Sequence, residues 1–339
     1  MPVRNESAYI RRSLQSVLTQ DYDQQRLEIL VVDGMSSDGT AEVVSQLASV
    51  HPNLRLLTNE DLIVPPGLNK ALREAKGEII IRVDGHCEIT PDYVKRCVEH
   101  LIEDNVDAVG GPIETIGETE SAKMIALAMS SPFGVGGSSF RTLKDKALLV
   151  DTVAFPAYLR AAIERTGFFD EELVRNQDDE YNFRLRKLGG RILLSPDIRS
   201  RYYSRSSLRS LWRQYFQYGY WKVRVMQKHW RQMRLYHFAP VTFVSLLMLT
   251  LILSPFFEFA RLLFAFMAFS YLIVNIVASA RTWTEGSWRQ VPLLSIAFAI
   301  LHFSYGLGFL WGLVRFWNRW STSSKSQVCG PLSDLTLHG

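Results

Sequence analysis

Cysteine is scarce: Cys87, Cys97 and Cys329 are the whole complement of a 339-residue chain. Three thiols without a CxxC pair give neither a disulfide framework nor a thiolate metal site, and they suit a reducing compartment. No G-x-G-x-x-G follows a strand-like run and no G-x-x-x-x-G-K-[ST] occurs, which removes two common phosphate cradles. Gly134-Val135-Gly136-Gly137 has no lysine after it and reads as a flexible loop. Residues 1–30 carry charges throughout and lack an apolar h-region, so no signal peptide is expected. Acid is absent from residues 199–234, which hold 10 Lys/Arg and no Asp/Glu, whereas residues 1–198 hold 22 basic against 31 acidic residues. The overall balance of 38 − 34 = +4 therefore averages an acidic part, a basic collar and an apolar end. That distribution excludes a simple soluble enzyme, a disordered chain and a fibre.

Charge is missing again from three runs: Phe238–Phe257 (20 residues), Leu262–Ala280 (19) and Val291–Val314 (24). Each approaches or exceeds the ~20 apolar residues that cross a ~30 Å hydrocarbon core, so about three spanning helices are expected. Only residues 254–261 separate the first two, which makes them a tight hairpin. The basic collar places residues 1–237 in the cytoplasm by the positive-inside rule. Arg315, Arg319 and Lys325 prefer the same side, in conflict with an odd number of spans. The runs hold no Asp, Glu, Lys or Arg, which argues against a transporter or channel path.

The remaining sequence alternates. Leu27–Asp33, Asn53–Leu57, Glu78–Val83 and Ala108–Gly111 read as buried strands, and Ala8–Thr19, Thr40–Ser49, Pro66–Ala75 and Pro91–Glu103 as helices between them. This spacing predicts an α/β sandwich with a mostly parallel sheet, and ligands in such sheets bind beyond the carboxyl ends of the strands. Asp33 and Asp84-Gly85-His86 stand at those ends. A carboxylate and an imidazole two apart suit a hard divalent ion completed by phosphates, or else a turn aspartate beside a surface histidine. In Gln177-Asp178-Asp179-Glu180 three adjacent acids open a helical run, either to complement its dipole or to supply a general base.

Met1-Pro2-Val3-Arg4-Asn5-Glu6 and Val32-Asp33-Gly34-Met35-Ser36-Ser37-Asp38-Gly39-Thr40 complete an ordered set with D-x-H, Q-D-D-E-x-N-x-R-L and Gly189-Gly190-Arg191-Ile192…Pro196. In that order and spacing the chain resembles the family 2 inverting glycosyltransferases of the GT-A fold. Within these it is similar to the membrane-anchored bacterial exopolysaccharide enzymes of the succinoglycan glucosyltransferase type.

The resemblance implies a nucleotide-sugar-binding, Rossmann-like sandwich over residues 1–205, a basic aromatic interfacial region over 206–237, a transmembrane region over 238–316 and a polar tail over 317–339. It implies that Pro2, Asn5 and Glu6 border the nucleotide, that Asp33 accepts from the base, and that Asp84 and His86 hold Mn²⁺ or Mg²⁺. His86 stands in place of the usual second aspartate. Asp178 matches the catalytic base, and Gln177, Asp179 and Glu180 flank it on the acceptor side. Asp38 and Gly39 shape a turn, with Thr40 capping the next helix. The complete first strand that precedes P-x-x-N-E in this fold is missing before Pro2, so an incomplete N-terminus is expected.

Residues 207–234 interleave aromatics with Arg and Lys at helical spacing, which suits nucleic acid or an anionic membrane surface; the adjoining apolar run decides for the membrane and against nucleic acid. Gln217-Tyr218-Gly219-Tyr220-Trp221 is similar to the Q-x-x-R-W of processive synthases, but Tyr replaces Arg, which favours single addition. Arg205, Arg209, Arg213 and Lys222 could hold a lipid pyrophosphate, with Gln217 and Trp221 beside the acceptor. The implied activity is transfer of one hexosyl unit from a nucleotide sugar, UDP-glucose being the expected donor, to a polyprenyl-pyrophosphate-linked saccharide in exopolysaccharide or cell-surface glycan synthesis, by a multi-pass protein of the bacterial inner membrane with its catalytic domain in the cytoplasm. The alternative is a non-catalytic nucleotide-sugar- or polysaccharide-binding scaffold on the same fold.

Overall fold

The computed structural model describes residues 1–142, 145–283 and 288–320. Lys325, Cys329 and most of the polar tail lie outside the described residues. The described chain groups into two units, 1–114 with 145–202 and 115–142 with 203–320.

The first unit opens with β1 (Pro2–Val3), α1 (Ile10–Leu18), β2 (Ile29–Asp33), α2 (Thr40–Ala48), β3 (Leu54–Thr58) and α3 (Val64–Glu74). It continues through β4 (Ile79–Ile81), β5 (Cys87–Ile89), α4 (Tyr93–Glu103) and β6 (Ala108–Gly111). All five residues of β2 are buried, as an apolar run covered on both faces requires. β2 pairs parallel with β1 and with β3, so Val3 lies beside Asp33 and Asp33 beside Thr58.

The chain leaves through β7 (Ile113–Ile116), forms α5 (Glu120–Met129), α6 (Pro132–Val135) and α7 (Ser139–Thr142), and returns as β8 (Leu148–Leu149) and β9 (Ala154–Leu159). Next come α8 (Arg160–Thr166), α9 (Gln177–Lys187), β10 (Ile192–Leu194) and β11 (Ser200–Tyr203). A second sheet of the first unit has the order β4-β9-β6-β10-β8. β9 runs antiparallel to both β4 and β6, whereas β6 and β10 are parallel. The expected mostly parallel sheet is therefore mixed. β9 follows a long excursion rather than a crossover helix, and only parallel neighbours demand such a crossover.

The second unit adds α10 (Leu208–His229), α11 (Ala239–Leu253), α12 (Glu258–Thr282) and α13 (Val291–Arg315) to α5–α7. α10 and α13 meet backbone to backbone. A Cβ on Gly219 would fall 2.0 Å from the Tyr305 carbonyl oxygen, and one on Gly308 2.1 Å from that of Phe216. Small residues spaced four apart, Gly308 and Gly312, permit this approach. Val223, Met226, Phe309 and Phe316 fill the seam beyond it. Gly134, read as part of a flexible loop, is instead a packing glycine in α6, set against the Ala128 carbonyl, Phe298 and Leu301.

The three expected spans are not equivalent. α11 has 15 residues, about 22 Å at 1.5 Å per residue, and falls short of a ~30 Å crossing. Pro255 follows directly and cannot continue it. α12 and α13 are long and apolar enough to cross a membrane, but 44% of the α13 apolar window is buried against 11% for α12. α5, α6, α10, α11 and α12 all pack on α13, so much of its apolarity serves the protein core, whereas α12 presents Phe266, Phe269, Ile273 and Val277 outward.

In the first unit His100 on α4 joins Asp104 (Nδ1 to Oδ2, 2.7 Å), Asp197 (Nε2 to Oδ1, 3.0 Å) and the Ser195 hydroxyl (3.0 Å). Burial works against its charge, but the two carboxylates raise the imidazole above its usual value; burial also opposes Asp197, which Ser195 and His100 hold below the usual carboxylate range. A raised histidine stabilises fully below its unfolded value near 6.5 and loses that contribution as pH rises through the folded value; the depressed Asp197 loses its own as pH falls through its folded value. His100→Gln should therefore lower the thermal midpoint more at pH 6 than at pH 8.5. A wild-type-to-variant gap that stays constant with pH would show the cluster to be electrostatically silent.

Candidate active site

The turn after β2 is built by side chains that cap backbone. Asp33, buried at the strand end, accepts from the Ser36 amide (2.9 Å) and hydroxyl (2.5 Å). Asn5 sits at φ 54°, a left-handed position that asparagine tolerates, and its side chain accepts from the Ser37 amide at 2.9 Å. Asp38 ties Thr40 and Ser7 together; burial works against it, yet hydrogen bonds from those residues hold its carboxyl down to about 2. Thr40 is not the cap expected of it. Gly39, at φ 92°, is the N-cap of α2, and the Thr40 hydroxyl accepts from the Glu6 amide at 2.9 Å. These bonds lock the segment carrying Pro2, Asn5 and Glu6 onto the turn carrying Asp33.

Glu6, expected to border the nucleotide, is paired with His86. Its Oε1 lies 3.0 Å from His86 Nδ1. Gly85 makes room for this: a Cβ there would meet Val3 at 2.9 Å and the Glu6 side chain at 3.1 Å. The glycine in D-G-H is thus a close-approach glycine. His86 also packs edge-on against Tyr202, with ring centroids 5.0 Å apart.

Asp84 and Asp178 meet through a residue that sequence reasoning missed. Arg82, one position beyond β4, places Nε 3.0 Å from Asp84 Oδ1 and a terminal nitrogen 3.0 Å from Asp178 Oδ1. Its side chain is 10% exposed. Burial works against the guanidinium charge, but Asp178 and Asp84 outweigh it and hold the group firmly protonated. Burial likewise opposes ionisation of Asp84, and Arg82 and His86 overcome it, keeping the carboxyl below its ordinary value. Removing one partner from such a buried pair typically costs about 3–5 kcal/mol. Asp178 differs in being half open, its side chain 42% exposed, with one oxygen buried on Arg82. The signal in the sequence was a charged residue inside an otherwise apolar strand-end run, Ile79-Ile80-Ile81-Arg82-Val83.

The residues present suit a divalent ion bound together with a diphosphate. A histidine that ligates a metal through one nitrogen usually gives its other N–H to a carboxylate, and the His86–Glu6 bond is that arrangement, leaving Nε2 to face an ion. No group of three or more metal-ligating side chains occurs among the described residues, so Asp84 and His86 would hold the ion as a pair with substrate phosphates completing it.

α9 divides by function. Asn176, at φ 61°, is its N-cap, and Asp178, Asp179 and Glu180 occupy the first turn, complementing the helix dipole. Glu180, expected on the acceptor side, is buried and bonds both oxygens to Arg184 at 3.1 and 2.9 Å, so it serves the core. Arg184 also donates to the carbonyls of Thr166 and Phe168. Asn182 bonds the Tyr158 hydroxyl (2.8 Å) and the Thr152 hydroxyl (2.7 Å), tying the helix to β9. Gln177 is buried with an Oε1 that has no hydrogen-bond partner among the described residues. The second half of the motif thus anchors the helix, and the first half presents Asp178.

In the second unit Arg209, Arg213, Gln217 and Trp221 share one face of α10 with Trp212, and with Trp311 of α13 they line an open cavity of about 500 Å³. Arg209 and Arg213 are exposed and make no ion pair among the described residues. Lys222, grouped with them from sequence, is buried instead, because it lies on the face of α10 turned from solvent; Arg205 is half-buried and lies before the helix.

Residues 1–167 match the family described as glycosyl transferase family 2. The chain is 28% identical to a dolichyl N-acetyl-alpha-D-glucosaminyl phosphate 3-beta-D-2,3-diacetamido-2,3-dideoxy-beta-D-glucuronosyltransferase of Methanococcus voltae, over 93% of this chain and 96% of that protein. It is 28% identical to succinoglycan biosynthesis protein ExoA of Rhizobium meliloti (strain 1021), over 94% and 95% respectively. Among solved structures, mannosyltransferase PcManGT from Pyrobaculum calidifontis, in complex with GDP-Man and Mn²⁺, shares the fold with a TM-score of 0.54 at 21% identity, over 91% of this chain and 85% of that one.

The His86–Glu6 pair can be tested without a turnover assay. His86→Ala should weaken Mn²⁺ binding, measured calorimetrically with saturating nucleoside diphosphate, by about 10–100-fold, with Glu6→Gln giving a smaller loss. Nucleoside binding without metal should be unchanged. Superimposable Mn²⁺ titrations of variant and wild type would remove His86 from the ion site.

Proposed function

Because the chain carries a glycosyl transferase family 2 domain on a GT-A fold, we propose that it transfers a single hexosyl unit from a UDP-sugar to a lipid-linked saccharide at a membrane surface, with inversion. The observation that supports this reading is the meeting of Asp84 and Asp178 on one guanidinium, the two carboxylates to which the reading gives the donor and acceptor sides. The names of the two relatives, one acting on a dolichyl-linked sugar and one in succinoglycan biosynthesis, support a lipid-linked acceptor and glycan assembly.

The donor nucleotide would lie against Pro2, Asn5 and the Asp33 turn, with its diphosphate toward Asp84 and His86. Glu6 acts there by orienting His86. A divalent ion held by Asp84 and His86 would offset charge on the leaving diphosphate. Asp178 takes the proton of the acceptor hydroxyl on its open oxygen, while its other oxygen stays on Arg82. The acceptor oxygen then forms the new bond to the anomeric carbon as the bond to the diphosphate breaks on the opposite face, giving a β-linkage from an α-donor. Gln177, with its unpaired buried oxygen, and Asp179 lie beside the base to meet acceptor hydroxyls. Membrane attachment is assigned to the exposed apolar faces of α11 and α12, and the α10 cavity to the phosphate-bearing end of the acceptor, where arginine suits phosphate by bidentate bonding.

Asp178→Asn removes the base but keeps the shape. Transfer should fall about 10²–10⁴-fold while nucleotide-sugar affinity stays within a few-fold. A variant that keeps more than about a tenth of the wild-type rate would exclude Asp178 as the base.

Arg209→Gln combined with Arg213→Gln should raise the acceptor KM by at least about 10-fold, since one hydrogen bond to a charged group contributes about 1.5–3 kcal/mol. Donor hydrolysis to water should continue unchanged. The assignment fails if the double variant, recovered in the membrane fraction, shows wild-type acceptor kinetics.

A further inference from the structure

Arg82 belongs to none of the roles assigned above, yet its contacts reach both sides of the reaction. Its amide donates to the Pro156 carbonyl at 3.0 Å, which fixes the backbone against β9. Its Nε and one terminal nitrogen contact the two oxygens of Asp84 at 3.0 and 3.3 Å, and the other terminal nitrogen contacts Asp178. All three guanidinium nitrogens are thus committed, to carboxylates from two distant segments, the turn after β4 and the first turn of α9. A planar fork that binds in this way fixes direction as well as charge. The two bonds to Asp84 aim the fork, and the remaining terminal nitrogen is thereby set 3.0 Å from Asp178 Oδ1, an ion pair that is not an aligned hydrogen bond.

We propose that Arg82 is the positioning residue of the transfer reaction: anchored on Asp84 by its fork, it holds Asp178 by charge at a set distance, so that the base meets the acceptor hydroxyl where the donor is bound. The proposal rests on the reading of Asp178 as the base. Arg82 acts through Asp178 and need not touch substrate. Lysine in its place keeps the charge but concentrates it at one atom on a flexible stem, which can satisfy one carboxylate and not fix both.

The test uses the full chain in membranes and compares Arg82→Lys, Asp178→Asn and the double variant, with thermal midpoint, donor KM and kcat read for each. Arg82→Lys should still fold, with a lowered midpoint, keep donor KM within about threefold and lose about 10²-fold in kcat, the scale of a misplaced catalytic group. In the double variant the Arg82 effect should vanish, leaving kcat within a few-fold of Asp178→Asn alone. A wild-type kcat for Arg82→Lys, or a double variant showing the product of both losses, would overturn the proposal. Full transfer by Asp178→Asn would instead fell the base assignment and this proposal with it, a result distinguishable because the single Asp178 variant alone reports it. If Arg82→Lys does not accumulate as folded protein, Arg82→Gln supplies the same cycle with Asp178→Asn. Additivity of Arg82→Gln with Asp178→Asn in kcat would then be the negative result.

Discussion

A positive charge buried between two negative ones governs the first unit. Burial opposes the charge of both Asp84 and Arg82, and each offsets that cost for the other. Asp178 completes the balance from a helix that starts far away in sequence. The fold around the cluster can be read as the means of bringing these segments together: the end of β4, the Gly85 turn that clears space for Glu6, and an α9 pinned from behind by Asn182 and Arg184. Neutralisation is internal, so the site carries its own counter-ion while keeping half of Asp178 open to solvent.

Much of this unit was legible in the sequence. Strands β2 and β6 and the helices between the early strands fall where apolar runs and proline signals place them, because burial on both faces and helix entry leave strong local marks. The residues at the strand ends were legible for the same reason. What was not legible depends on pairing across distance. Glu180 looks like a third catalytic acid until Arg184, four residues on, takes both its oxygens. The partnership of Glu6 with His86, 80 residues away, left no mark in either motif. Arg82 carried no motif at all, and its only mark was a charge where the strand pattern wanted an apolar residue. The antiparallel direction of β9 was hidden because its preceding connection carries no crossover signature.

The second unit shows the opposite limit. Hydropathy locates α11, α12 and α13 well, yet treats them alike, because apolar side chains satisfy lipid and protein interior equally. Only packing separates them: α13 is enclosed by its neighbours along much of its length, α12 is bare, and α11 is too short for a crossing.

The contact of α10 with α13 has a consequence for the breadth of ligands that the α10 cavity can accept. Where Gly219, Gly308 and Gly312 bring main chain against main chain, no side chain separates the helices to act as a lubricant. The two helices must therefore translate and rotate as one piece, and the cavity between Arg209 and Trp311 keeps a fixed floor. Adaptation to guests of different size is left to rotamer changes of Trp212, Trp221 and Trp311, a narrow repertoire that makes the cavity a gauge rather than a glove.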